Sequence, residues 1–166
     1  LADISNTMVQ LGKLTGHETK ANQIAAQFNQ ALNEVFKKNS ENKIKPTVFI
    51  EIWSKPLLTI GSNYFISDII GKCGGVNLFQ NIPIPAPAIS IESVLYKNPD
   101  IIIQDKVFKN STNNLSSHTH WSDYSFLKAT KNHQLYSLDL KLLERPTPRI
   151  LASVVALCGI IGKNKK

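Results

Sequence analysis

The two cysteines are the residues of this sequence that could form a covalent cross-link. Cys73 and Cys158 each lie on an apolar helical pattern, 85 positions apart. Free cysteines are commonly buried in protein cores, whereas a disulfide requires an oxidising compartment. Spacing alone leaves inert thiols and a disulfide equally open. Neither cysteine has a partner at the short spacing of a zinc site, so we predict no metal there.

A second candidate for chemistry is the pair of histidines His118 and His120 in a polar segment. On an extended chain, a spacing of two residues points both rings to the same side, where they could hold a metal ion. No third ligand is close in the sequence, and exposed loop histidines are commoner than metal sites. A small metal-dependent α/β enzyme that uses His118 and His120 is therefore an alternative hypothesis.

Other catalytic motifs are not found in the sequence. The glycine groups at 71–75 and 162 follow helical patterns, whereas a phosphate-binding loop follows a strand and begins a helix. No Gly-x-Ser-x-Gly elbow occurs, and no cysteine, histidine and carboxylate group can be assembled. We therefore expect a protein that is not an enzyme and that carries no cofactor.

Two segments contain side chains suited to contact a ligand. Glu51 and Trp53 alternate with apolar residues, which places them on one face near the carboxyl end of a predicted strand, where α/β sheets bind ligands. Trp53 is a candidate ligand contact, or else an aromatic lid over the core edge. Arg145 lies in a segment stiffened by Pro146 and Pro148. Its guanidinium could bind an anion or backbone carbonyls, or form a structural salt bridge.

Alternating helices and strands must position these residues. Apolar spacing predicts helices over 2–14, 18–38, 66–73, 90–97, 122–129 and 149–162. Runs rich in β-branched residues predict strands over 47–53, 100–104 and 134–138. Three prolines at alternate positions predict an extended connection over 80–88. This order predicts an α/β fold with a mostly parallel sheet flanked by helices and preceded by a long helix.

Composition restricts the class of protein. The 166 residues are 42% hydrophobic, which is enough for a single buried core. The longest nearly apolar stretch, 150–162, is too short to cross a bilayer. The net charge of +7 is spread without a stripe of basic and aromatic residues. We predict no membrane span and no nucleic-acid partner, and a basic interaction domain that contacts nucleic acid remains a further alternative.

Four motifs then resemble a known family in order and sequence. They are Ile-Trp-x-x-Pro at 52–56, Gly-Gly-x-Asn at 74–77, Asn-Pro-Asp at 98–100 and Glu-Arg-Pro-x-Pro-Arg at 144–149. The chain resembles the periplasmic cobalamin-binding proteins of ABC importers, within the helical-backbone class that also contains ferric siderophore and haem binders. The second and third motifs occur across the class, while the first and fourth are closer to the cobalamin branch.

The resemblance implies a domain organisation and a function. Residues 1–45 match the interlobe backbone helix and the following helix, and residues 46–166 match the C-terminal α/β lobe of such a protein. In the family the ligand lies between two lobes, so this chain would supply half of the cleft. The implied function is to bind cobalamin or a related corrinoid and deliver it to a membrane permease. A ferric siderophore, haem or another large metal chelate is the alternative ligand.

The resemblance also assigns roles to individual residues. Leu58, Ala86 and Lys141 fall where some cobalamin binders have cleft aromatics or an acidic residue, and Arg145 matches a cleft arginine. Trp53 could replace the missing aromatic wall.

Two further roles follow from the same resemblance. Glu92 matches a carboxylate that docks on arginines of the permease, although such a charge also suits the first turn of a helix. Cys73 and Cys158 match a disulfide of some cobalamin binders, which favours a bond between them and a periplasmic location.

Overall fold

The computed structural model describes residues 1–39, 45–106 and 119–163. The helices are α1 (Ala2–Leu14), α2 (Glu18–Asn39), α3 (Phe65–Lys72), α4 (Ile91–Lys97), α5 (Lys128–Lys131), α6 (Leu140–Leu143) and α7 (Ile150–Gly162), with a short 3₁₀ turn at Trp121–Asp123. The strands are β1 (Thr47–Glu51), β2 (Trp53–Ser54), β3 (Leu57–Leu58), β4 (Val76–Asn77), β5 (Ile101–Asp105) and β6 (Leu135–Leu138).

The main sheet is parallel, in the order β4-β1-β5-β6. Its two central strands are continuous apolar runs, and Val48, Phe49 and Ile50 of β1 pair with the isoleucines of β5. Side chains of both strands are buried on both faces, as expected where helices cover a parallel sheet on each side. The predicted α/β fold with a mostly parallel sheet is confirmed.

The two faces of the sheet form separate apolar clusters. One face packs against α3 and α7, and α1 and α2 join the same cluster through Ile4, Phe28 and Leu32. The other face, with Phe49 and Ile102 at its centre, packs against α4 and the segment after residue 119. The long helix α2 therefore shares its core with the sheet.

A disulfide joins the two principal helices of the first face. Cys73 directly follows α3, Cys158 lies on α7, and their sulfurs are bonded. Both residues are fully buried. The predicted pairing is confirmed, and it closes a loop that contains β4, β5 and β6.

The predicted strand over 47–53 is wrong at its carboxyl end. β1 ends at Glu51, and the backbone N–H of Ile52 donates to the carbonyl of Leu58 at 2.9 Å. The chain turns there into a separate antiparallel hairpin, in which Trp53 pairs with Leu58. An apolar run cannot reveal this turn, because its cause is a contact with residues that come later in the chain.

Other parts of the chain also differ from prediction. The 122–129 region forms only the 3₁₀ turn and the short α5, while α6 and the two-residue β4 were not predicted. Ser62 and Asn63, which precede α3 and are residue types that often cap a helix, do not cap it, and their side chains donate to the carbonyls of Ile82 and Pro83.

The proline-containing segment runs alongside residues 57–62. Backbone N–H groups of Thr59 and Gly61 donate to the carbonyls of Pro87 and Pro85, at 3.1 and 2.9 Å. A proline can accept such bonds but cannot donate one. The carbonyl groups of Pro85 and Pro87 thus hold the predicted extended segment against residues 57–62, although these prolines have no N–H to donate in return.

No helix among residues 1–39, 45–106 and 119–163 is both long enough and apolar enough to cross a membrane.

We predict that Gly61→Ala destabilises the chain by about 2 kcal/mol or more, because an added Cβ would overlap the Ile84 carbonyl oxygen and lie 2.6 Å from that of Ile82. Gly159→Ala is the matched control: it lies in α7 with nothing near its Cβ position and should stabilise the chain by about 0.5–1 kcal/mol. Urea unfolding followed by circular dichroism measures both. Equal effects of the two substitutions would contradict the close approach at Gly61.

Candidate functional site

The carboxyl ends of β1, β5 and β6 meet at one edge of the sheet, because the three strands are parallel. The β2–β3 hairpin follows β1 at this edge, and α6 follows β6. Four of the predicted ligand contacts, Trp53, Leu58, Lys141 and Arg145, therefore lie in segments that leave this edge. In open α/β sheets this edge is where ligands bind.

Trp53, Leu58 and Ala86 lie on neighbouring segments of the edge. Trp53 is directly opposite Leu58 in the hairpin, and Leu58 forms a bridge to Ala88, two residues after Ala86. The Trp53 indole N–H donates to the carbonyl of Lys55 at 2.8 Å, and 49% of the side chain remains exposed. An exposed indole beside small apolar side chains is a surface on which a planar ligand can stack.

The prediction that Glu51 shares a face with Trp53 is wrong. Glu51 is the last residue of β1, and its side chain lies on the buried Phe49 face and is 1% exposed, whereas Trp53 belongs to the hairpin. Its carboxylate accepts hydrogen bonds from Trp121 Nε1 at 2.6 Å, Gln104 Nε2 at 2.9 Å and Ser54 Oγ at 2.6 Å. A buried carboxylate with three donors is fully compensated for the loss of water.

Trp121 and Gln104 were not identified from the sequence. A buried indole N–H does require an acceptor, and that requirement was the available signal for Trp121. Its partner Glu51 is 70 positions away, so the sequence did not show which acceptor it finds.

Lys141 and Arg145 provide positive charge at the other side of the edge. Both side chains are exposed. The Asp139 carboxylate accepts a hydrogen bond from the backbone N–H of Lys141 at 3.1 Å, which caps α6 and places both cations after β6.

Acidic groups accompany these cations. Partial burial, with a contribution from the negative charge of Asp105, raises the pKa of Glu144 above its ordinary value, and nearby Arg145 and Lys141 partly oppose the shift. Burial, together with the Glu144 charge, raises the pKa of Tyr64. The carboxyl ends of β5 and β6 thus bring groups of both signs together.

Glu92 lies away from this set, exposed in the first turn of α4. The Ser90 hydroxyl caps the helix by accepting from the N–H of Ser93 at 3.2 Å. Hydrogen bonds from its own backbone N–H and from Ser90 lower the pKa of Glu92. The carboxylate is therefore ionised and accessible at neutral pH.

The structure brings no metal centre together in the part of the chain that it describes, since no three histidine, cysteine or carboxylate side chains there could hold an ion. His120 is exposed, and His118 lies outside the described residues.

We predict that Glu144→Gln raises the free energy of unfolding at neutral pH. The folded chain raises the pKa of Glu144, so between the ordinary value of 4.5 and the raised one it binds more protons than the unfolded chain. Stability from this group therefore falls as pH rises through that window, and the gain from the substitution should shrink as pH is lowered towards 4.5.

Urea unfolding of both proteins at several pH values measures this gain. Glu34→Gln, on the exposed side of α2, is the control and should not show it. A gain for Glu144→Gln that is unchanged at acid pH would contradict the electrostatic explanation.

Comparison with known proteins identifies the family. A family model described as periplasmic binding protein matches residues 1–142. The vitamin B12-binding protein of Vibrio parahaemolyticus serotype O3:K6 is 29% identical over 160 residues, which cover 95% of this chain and 55% of that protein. The chain thus spans about half the length of the curated relatives that it matches.

Solved structures share the fold. The crystal structure of the periplasmic vitamin B12 binding protein BtuF of Vibrio cholerae superposes with a TM-score of 0.84 at 27% identity, over 96% of this chain and 60% of that one. The apo periplasmic heme-binding protein RhuT of Roseiflexus sp. RS-1 superposes with a TM-score of 0.77 at 15% identity, over 98% and 63% of the two chains, which shows the fold alone.

The sequence motifs, the parallel sheet and its long preceding helix agree with these comparisons. Because the family model matches residues 1–142 of 166, this chain belongs to the periplasmic binding protein family.

Proposed function

We propose that this chain supplies one wall of a cleft that binds cobalamin or a related corrinoid for an ABC importer. The observation that carries the proposal is the superposition on a vitamin B12 binding protein over 96% of the chain. On this proposal the protein binds and delivers its ligand and does not transform it, in keeping with a family of substrate-binding transport proteins.

The carboxyl edge of the sheet supports this chemistry. A corrinoid is large and flat, with amide groups around its rim. The half-exposed indole of Trp53 offers an aromatic surface, and Arg145 offers donors to amide carbonyls. Leu58 and Ala86, which replace the aromatics of some relatives, leave room beside Trp53 for the ligand. Lys141 adds a cation where some relatives have an acid.

The proposed organisation assigns residues 46–166 to the C-terminal lobe and residues 1–45 to the interlobe helix and the helix next to it. On this assignment α1 belongs to the interlobe helix and the 22-residue α2, which spans about 33 Å at 1.5 Å per residue, is the helix next to it. The apolar face of α2 packs into the core of the lobe through Phe28 and Leu32, which would fix its direction relative to the sheet.

Haem or a ferric siderophore is the second candidate ligand. The exposed cations Lys141 and Arg145 favour it, because carboxylate groups of such ligands pair well with them. The fold shared with a heme-binding protein is compatible with either ligand.

A periplasmic location and a permease partner complete the proposal. The buried disulfide between Cys73 and Cys158 suits an oxidising compartment. The ionised Glu92 on α4 suits docking onto cationic side chains of a permease.

We predict that the full-length product of the gene binds cobalamin, and that Trp53→Ala weakens binding about 10-fold through loss of the stacking surface. Trp53→Phe should retain most of the affinity. Tyr96→Ala is the control, because Tyr96 on α4 is 92% exposed but lies outside the carboxyl edge.

Isothermal titration calorimetry with cobalamin, haem and a ferric siderophore measures these affinities. Binding of haem or siderophore without cobalamin would overturn the corrinoid assignment in favour of the second candidate. Equal losses in Trp53→Ala and Tyr96→Ala would contradict the placement of the site.

We predict that Glu92→Ala lowers association with the cognate permease, most strongly at low salt, and leaves cobalamin affinity unchanged. Asp68→Ala is the matched control, since Asp68 is also an exposed carboxylate in the first turn of a helix. Co-purification with the permease in detergent over a salt series measures association. A Glu92→Ala protein that docks normally but binds ligand poorly would show that Glu92 has a different role.

A further inference from the structure

The Glu51 carboxylate connects three segments that meet at the carboxyl edge. Its Oε1 accepts from Ser54 in the hairpin, and its Oε2 accepts from both Gln104 at the end of β5 and Trp121 in the 3₁₀ turn. These donors are 3, 53 and 70 positions away in the sequence. One side chain therefore links the hairpin to the sheet and to the segment after residue 119.

The donors on the sheet side are themselves held in place. The Gln104 amide also donates to the carbonyl of Thr119 at 3.0 Å, and the Trp121 carbonyl accepts from Thr130 Oγ1 at 3.0 Å. The Trp121 ring packs edge-on against Phe49 with centroids 5.4 Å apart. This side of the network is fixed by β1, β5 and α5, so Glu51 presents a fixed acceptor to the hairpin.

The hairpin has little to hold it by itself. It consists of two residue pairs, and an isolated hairpin of this size is not stable in water. The backbone N–H groups of Ile52 and Ile89 donate to the carbonyls of Leu58 and Leu57 and so attach its β3 side. On its β2 side, the hydroxyl of Ser54, the residue after Trp53, donates to the Glu51 carboxylate.

We infer that Glu51 is a positioning residue for the ligand site: through Ser54 it holds the β2 strand, and hence the Trp53 indole, at a fixed place on the edge. The inference rests on the proposed function, because Trp53 is a ligand contact only there. Glu51 is buried and does not itself touch ligand.

The orientation of the three donors gives a sharp expectation for Glu51→Gln. Trp121 and Gln104 share one oxygen, so a glutamine can present its carbonyl oxygen to both. Its NH₂ group then faces Ser54 Oγ, which can accept instead of donate. Glu51→Gln should keep the hairpin in place, whereas Ser54→Ala removes the bond outright.

Fluorine NMR of protein labelled with 5-fluorotryptophan tests this directly, because the chain has two tryptophans and each gives one signal. Trp53→Phe assigns the signals. In Ser54→Ala we expect the Trp53 signal to narrow and shift towards that of free 5-fluorotryptophan, while the Trp121 signal stays unchanged and the protein remains folded with a lower thermal midpoint, because Glu51 loses one donor. Glu51→Gln should preserve the Trp53 signal. Ser122→Ala, which removes an exposed hydroxyl beside Trp121, is the control and should also preserve it.

Isothermal titration calorimetry on the full-length product measures whether the position of Trp53 affects cobalamin affinity. Ser54→Ala should weaken cobalamin binding about 5-fold, because a Trp53 side chain that is no longer held must be ordered when the ligand binds, and Glu51→Gln should remain close to wild type. An unchanged Trp53 signal in Ser54→Ala, or an equal change in Ser122→Ala, overturns the inference. If the wild-type protein binds no cobalamin, the proposed function fails, and the fluorine signals alone then decide whether Glu51 positions the hairpin.

Discussion

Parallel pairing of β1 with β5 is the constraint on which the rest of the structure depends. Each strand has a run of three apolar residues, 48–50 and 101–103, buried on both faces, so helices must cover each side of the sheet. Because β6 also pairs with β5 in parallel, the carboxyl ends of β1, β5 and β6 meet at one edge. The candidate site lies there because the hairpin, the end of β5 and the segment after β6 all leave the sheet at that edge.

The two edges of the sheet satisfy their polar groups in different ways. At the amino edge, the Asp100 carboxylate accepts from both the backbone and the hydroxyl of Thr47, at 2.8 and 2.7 Å, and the Thr47 hydroxyl in turn accepts from the N–H of Asp100. This closed arrangement ties β1 to β5. At the carboxyl edge, the buried Glu51 carboxylate connects the strands to the hairpin through its hydrogen bonds, while Trp53 and Arg145 remain exposed to solvent.

Two further features restrict how far this edge can move. Gly61 lets residues 82–84 approach the backbone more closely than any side chain would permit, and the carbonyl of Pro85 accepts a hydrogen bond from the Gly61 N–H. On the opposite face, the disulfide fixes α3 to α7. Backbone contacts and a covalent bond thus hold the elements beneath the carboxyl edge. At the edge itself, side-chain bonds to Glu51 add to the backbone bonds of the hairpin.

The sequence by itself determined the longer helices, the central strands of a parallel sheet, and the segments that carry Trp53, Arg145 and Glu92, because hydrophobic periodicity, capping residues and family motifs are local signals. The tertiary structure decided the rest. The end of β1 at Glu51, the inward turn of that carboxylate and its bonds to Gln104 and Trp121 depend on residues 53 and 70 positions away. Apolar alternation placed Glu51 beside Trp53 on one face, but a buried carboxylate goes where donors are available, and only the folded chain brings those donors together.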